Sequence, residues 1–359
     1  MSRGGGTRGV HLAHTGVLAA LGSALLFGMT TPIAKQLLAG TSPVLIAGLL
    51  YLGSGVGVSI LRLTQDRGWS ATGLVGRDWI WLALATVVGG VVAPALLMTG
   101  LAYADAASAS LLLNLEVVFT AVLAWLVFNE PAGARVVIGL VVIFAGGLLL
   151  VWPAHLSSAG NLSALLAIVA ACFCWALDNN LTRKISASDA RVLAALKGLS
   201  AGTTNTVLAL LLGAAVPPLS HGLLAMGIGF MGYGLSLVLF IVALRQLGAA
   251  RTGAYFATAP FIGAVAAMLL YGQPAQSAFW LAAACMGVGV WLHVTEQHDH
   301  EHVHEPMAHS HAHSHDAHHQ HEHAFEWDGV EPHTHEHQHG WLRHRHAHFP
   351  DIHHRHGHG

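Results

Sequence analysis

Charge-free apolar stretches, separated by short polar breaks, divide most of this chain into regular lengths. Residues 16–34, 36–61 and 79–104 contain no Asp, Glu, Lys or Arg, and residues 106–129 contain only Glu116. A membrane helix needs roughly 20 apolar residues, so each stretch predicts one span. Three longer charge-free runs follow, at 136–177, 198–244 and 252–295. Each is about twice a span, and each holds a turn signal near its middle: "WPAHLSSAGN", "VPPLSHG" and "YGQPAQS". Each is read as two helices joined by an uncharged turn, which makes ten helices in all.

Composition agrees. The chain is 54% hydrophobic and 9% charged, against about 25% charged residues in a soluble domain. With the N-terminus placed inside, the inner segments hold Arg3, Arg8, Arg62, Arg67, Arg77, Arg135, Arg183, Lys184, Arg191, Lys197, Arg245 and Arg251, and the outer segments hold only Lys35. That is a positive-inside distribution, which a miscounted span would scramble. Residues 1–15 are therefore a cytoplasmic N-terminus, and the C-terminus returns to the cytoplasm. The first apolar run has no small-residue cleavage pattern and is read as a retained helix.

A shift of 143 positions lays "LAYADAASASLLLNLEVVFTAVLAWLVFNEP" (101–131) over "LRQLGAARTGAYFATAPFIGAVAAMLLYGQP" (244–274) without a gap, and a shift of 148 lays "FGMTTPIAKQL" (27–37) over "WALDNNLTRKI" (175–185). Lys35 then meets Arg183, one outside and one inside, so the two halves have opposite orientation. The fold expected is an all-α membrane protein of ten transmembrane helices in an inverted five-plus-five repeat, residues 16–152 and 161–295, with the binding site near the midplane between the halves.

"NLEVVFTAVLAWLVFNEP" resembles the signature helix of EamA-domain proteins in the drug/metabolite transporter superfamily, and the ten-helix layout is similar to theirs. The resemblance covers about residues 14–295. It implies a carrier of the bacterial inner membrane, often an exporter of metabolites or toxic compounds. The sequence departs from the family pattern at Val117, where a proline is common, and at Ala259 and Gln273, which stand opposite Glu116 and Glu130.

Polar residues inside the spans are candidates for the substrate path. Glu116 falls roughly 15 Å into the fourth helix, where a charge costs at least ~2.5 kcal/mol. It is read either as a substrate- or proton-coupling group, or as a protonated carboxyl bonded to a neighbouring helix through Asn114. Cys174, Asp178 and Thr182 share one helix face, with Trp175 and Asn179 beside it. This cluster is read either as cavity lining or as an interface group paired with Arg183 or Lys184. Asp178 and Asn179 match Thr30 and Thr31 under the inverted repeat, which gives each half a polar pair. Tyr233 and Tyr255 are further candidates for a cavity wall. The glycines of "GSGVG" (53–57) and "GIGFMGYG" (227–234) are read as sites of close helix packing.

The polar remainder, residues 296–359, carries 23 of the 28 histidines. At a shift of 35, residues 298–323 align with 333–358, a tandem duplication. His298, His300, His302, His304, His309, His311, His313, His318, His319, His321 and His323 meet His333, His335, His337, His339, His344, His346, His348, His353, His354, His356 and His358. The unit alternates His-x-His, so in an extended chain imidazoles line one edge. Imidazole suits zinc, nickel, cobalt or copper. With few apolar residues the tail cannot bury a core, and it is read as disordered without metal.

No nucleophile elbow, phosphate loop or zinc-protease helix is present, which argues against an enzyme. The formal net charge of −2 and the lack of a basic stripe argue against nucleic acid. The reading is a secondary carrier that exports a small organic metabolite and bears a metal-binding tail. Its partners are the lipid bilayer, a small-molecule substrate, transition-metal ions and, as an open option, a second copy in a homodimer. No cofactor is required. A transition-metal carrier and a membrane-anchored metal sensor or store are the alternatives.

Overall fold

The computed structural model describes residues 5–65, 74, 76–128, 133–157, 159–185, 188–247, 249–272, 276–295, 298–304, 307–313, 333–339 and 342–348. Two units separate, Met1–Glu296 and Gln297–Gly359. Pro131, Glu130, Gln273 and Pro274 of the repeat alignment lie outside the described residues, as do His318, His319, His321, His323, His353, His354, His356 and His358.

The first unit is helical. The first helix is Gly5–Leu37 and the second Pro43–Gln65. The third runs Asp78–Ala85, widens through the π-turn Thr86–Val92 and continues as Ala93–Tyr103. The fourth is Ala106–Leu112 and Leu115–Phe128, broken between. The fifth, sixth and seventh are Ala134–Ser157, Ala159–Arg183 and Ala190–Leu211. The eighth runs Leu219–Gly229, widens at Phe230–Leu235 and ends as Ser236–Leu247. The ninth is Ala249–Phe256 and Ala259–Tyr271, and the tenth Ser277–Val294. Eight of these are long and apolar enough to cross a membrane; the tenth is apolar but shorter.

Several boundaries differ from the sequence reading, and the first helix already begins at Gly5 rather than at 16. The seventh helix begins at Ala190 rather than at the charge-free run from 198, because Asp189 caps its start by accepting from the Arg191 N–H at 2.9 Å. Lys197 therefore sits within a helix and not in a loop. The fourth span breaks at Leu113 and Asn114, immediately before Glu116. The turn read in "WPAHLSSAGN" is helical on both sides of residue 158.

The duplication is visible in the irregularities. A shift of 143 carries the wide turn Thr86–Val92 onto the wide turn Phe230–Leu235, and brings the break at Leu113 and Asn114 to within one residue of that at Ala257 and Thr258. Packing follows the same rule. The first helix packs on the eighth and ninth as the sixth packs on the third and fourth, while the second pairs with the seventh and the fifth with the tenth. This is the inverted five-plus-five repeat.

Backbones approach most closely where the second helix crosses the eighth. A Cβ on Gly53 would overlap the Met226 carbonyl, and one on Gly229 would overlap that of Leu50. Lipid cannot drive helices together by apolar burial, so such close contact supplies the attraction. Leu97, Met98, Leu101, Leu112, Ile143, Ile168 and Met286 fill the centre of the unit. Exposed Trp79, Trp152, Trp280 and Trp291 stand near helix ends, where amphipathic rings favour the membrane interface. Lys35 ends the first helix and donates to the carbonyls of Leu101 (2.8 Å) and Ala104 (2.6 Å), neutralising the C-terminal end of the third.

The tail, read from composition as disordered, carries four seven-residue strands among its described residues: β1 His298–His304, β2 Met307–His313, β3 His333–His339 and β4 Leu342–His348. β1 pairs antiparallel with β4, and β2 with β3.

Candidate functional site

The wide turn in the third helix positions the first cluster. Widening a helix takes a carbonyl out of its ladder, and in hydrocarbon that carbonyl needs another donor. The Gly89 carbonyl receives two: the Tyr51 hydroxyl at 3.1 Å and the Trp175 indole N–H at 2.9 Å. Glycine is required here because a Cβ would occupy the space of the Asp178 carboxylate, which lies against the turn. Asp178 is 5% exposed. Its Oδ2 is ion-paired to Lys197 Nζ, and its Oδ1 accepts from the Thr182 hydroxyl at 3.1 Å.

The other half repeats this geometry without charge. In the eighth helix Gly232 lies against Thr30, and a Cβ there would overlap the Thr30 hydroxyl. Gly232 matches Gly89, and Thr30 matches Asp178, under the two shifts. Thr30 and Thr31 are both buried, and Thr30 Oγ1 donates to the Leu26 carbonyl at 2.9 Å.

A cavity of about 280 Å³ opens between these elements. Phe27, Tyr51, Tyr233, Phe240 and Phe256 form much of its wall, and Lys197 is the charged residue among its lining. Tyr233 lies tilted against Tyr51 with centroids 5.5 Å apart and meets Phe27 edge-on at 6.0 Å. The arrangement suits an organic solute with an apolar body, held by ring faces and one cation.

A second cavity of about 330 Å³ is more polar, lined by Glu116, Thr120, Asn179, Asn180 and Arg183 among others. Asn179 Nδ2 donates to Glu116 Oε1 at 2.8 Å and lies 3.3 Å from Thr120 Oγ1. The partner of Glu116 on the sixth helix is thus Asn179. Asn114 is buried in the break of the fourth helix, where it donates to the Leu111 carbonyl at 2.9 Å and faces the Met286 sulfur at 3.8 Å.

Of the residues proposed from sequence, Trp175, Asp178, Thr30 and Tyr233 gather around the wide turns, and Glu116 and Asn179 share the polar cavity. Tyr255 stands apart and packs against Ala19, Ala20 and Ala243. The pairing of Asp178 with Arg183 or Lys184 is corrected to Lys197. Tyr51 and Lys197 line the first cavity, Thr120, Asn180 and Arg183 line the second, and Gly89 shapes the wide turn; sequence reasoning does not single these six out as site candidates. For Lys197 a signal exists: Asp189 is an N-cap residue followed by an apolar period, and it starts the helix eight residues earlier than the charge-free run suggests.

The EamA-like transporter family matches residues 14–152 and again 162–295. An uncharacterized transporter of Methanothermobacter thermautotrophicus is 27% identical over 298 residues, covering 77% of this chain and 85% of that protein. A solved protein crystal structure superposes with TM-score 0.58 at 18% identity, over 77% of this chain and 94% of the other. At that identity the likeness is one of fold.

Proposed function

Because the chain belongs to the EamA-like transporter family, we propose that it is a secondary transporter of the bacterial inner membrane that exports a small organic metabolite, with both termini in the cytoplasm and a metal-binding histidine-rich tail. The observation that carries the substrate class is the aromatic cavity with Lys197 on its wall. Its rings suit an organic body and suit a bare metal ion poorly. The paired wide turns in the third and eighth helices are the points at which one half can bend against the other, as alternating access requires. Glu116, bonded to Asn179, is the group through which proton movement couples to transport.

Flux in proteoliposomes tests this. Purified protein is expected to exchange at least one labelled organic solute across the bilayer, and Glu116→Gln to remove the pH dependence of that exchange while the protein stays folded. Movement of nickel or zinc with no organic flux would overturn the substrate class. An unchanged pH profile in Glu116→Gln would overturn the coupling role.

The tail is accessory on this reading. Imidazole binds metal only when deprotonated, so retention of zinc or nickel by the full chain is expected to be complete near pH 7.5 and to fall steeply below about pH 6. Equilibrium dialysis across that range measures it.

A further inference from the structure

The two tandem units of the tail pair with each other. A shift of 35 carries β1 onto β3 and β2 onto β4. The observed pairs are β1 with β4 and β2 with β3, so each ladder takes one strand from each unit. The shift also carries one ladder onto the other with its register intact. His298 opposite His348 becomes His333 opposite His313, and His302 opposite His344 becomes His337 opposite His309. The interval from His298 to Met307 equals that from His339 to His348, so the two ladders follow one antiparallel register.

That register sets histidine against histidine. His298, His300 and His302 face His348, His346 and His344 across one ladder, and His309, His311 and His313 face His337, His335 and His333 across the other. A slip of one residue would set every one of these histidines against a different residue type. Directly opposed residues of an antiparallel pair share a face, with Cβ atoms about 4.5–5.5 Å apart. That separation lies within reach of two imidazoles binding one ion at about 2 Å each. Successive pairs on the same face bring four imidazole-bearing positions together, the number a tetrahedral ion takes.

We propose that the tail binds divalent transition-metal ions between its two units, each site sharing histidines from both, so that neither unit holds the sites alone. The proposal rests on the metal-binding reading of the tail. It also gives the duplication a purpose: the second copy supplies the opposite strand. Binding then closes the segment between the units into a loop, and the entropy of that closure grows only slowly with its length.

The test is non-additivity of bound metal. Full-length protein in detergent is dialysed against a fixed free nickel concentration, and nickel per chain is measured. Replacing His298, His300 and His302 by alanine removes the sites of one ladder, and replacing His344, His346 and His348 removes the same sites. Each triple variant should lose the same number of ions, and combining them should lose no more than either alone. Combining the first triple with His309, His311 and His313→Ala touches both ladders and should lose about twice as many. Equal losses that add when the first two triples are combined would show independent units and overturn the shared site. A parent chain that retains no nickel would overturn the metal-binding reading itself.

Discussion

Lys197→Ala is expected to cost about 3–5 kcal/mol, because it leaves the Asp178 carboxylate buried without its counter-charge. Asp178 is 5% exposed and sits against the wide turn of the third helix, where little room remains for water. The remaining partner, the Thr182 hydroxyl, is neutral. The loss should be read as a lower thermal midpoint in detergent and as lost flux. Asp178→Asn in the same background should recover much of the stability, since an amide tolerates burial without a cation. It should not recover transport, because the charge at the cavity wall would still be absent. If Lys197→Ala alone melted at the parental temperature, the ion pair would have no structural role.

Gly53→Ala and Gly229→Ala are expected to be the next most damaging changes. At both sites the atom in the way is a backbone carbonyl of the facing helix, of Met226 and of Leu50. A side chain can rotate away from an added methyl group, but a helix backbone cannot. The second and eighth helices must then separate, at a cost of about 3 kcal/mol, the upper end of what overpacking does in a core. Gly222→Ala and Gly227→Ala in the same eighth helix are the controls. A Cβ at either has nothing within 4 Å, so their thermal midpoints should stay near the parent value. Equal behaviour of all four variants would remove the close crossing as a source of stability.

Much of the scaffold is legible in the sequence because it depends on a coarse property. Helix count and the repeat follow from where charges are absent, and ten segments emerge as expected. The alignment by 143 positions even marks where the irregular turns recur, although nothing in the letters declares a π-turn. What stays hidden depends on contact. Lys197 lies at the edge of a charge-free run and reads as a loop residue until the helix is seen to start at Ala190. The link between Gly89 and Asp178 joins the third helix to the sixth, and no local pattern announces such a neighbour. Tyr51 carries no signal in its own surroundings, and its role emerges only because its hydroxyl reaches the carbonyl that the widened turn releases. Tyr255 shows the converse: a tyrosine in a span is a fair candidate for a wall, yet its position on the ninth helix turns it toward alanines of the first and eighth. The strand pairing of the tail is likewise beyond a one-dimensional reading, which finds the copies but not that they face each other.

The matched turns differ in one respect that bears on motion. On one side Gly89 meets a carboxylate bound to an ammonium group, and on the other Gly232 meets a hydroxyl. Opening the first contact must pull opposite charges away from each other in a medium that screens them little; opening the second disturbs only neutral atoms. Two arms built to one plan are therefore unequally latched, the one held by the ion pair being the stiffer.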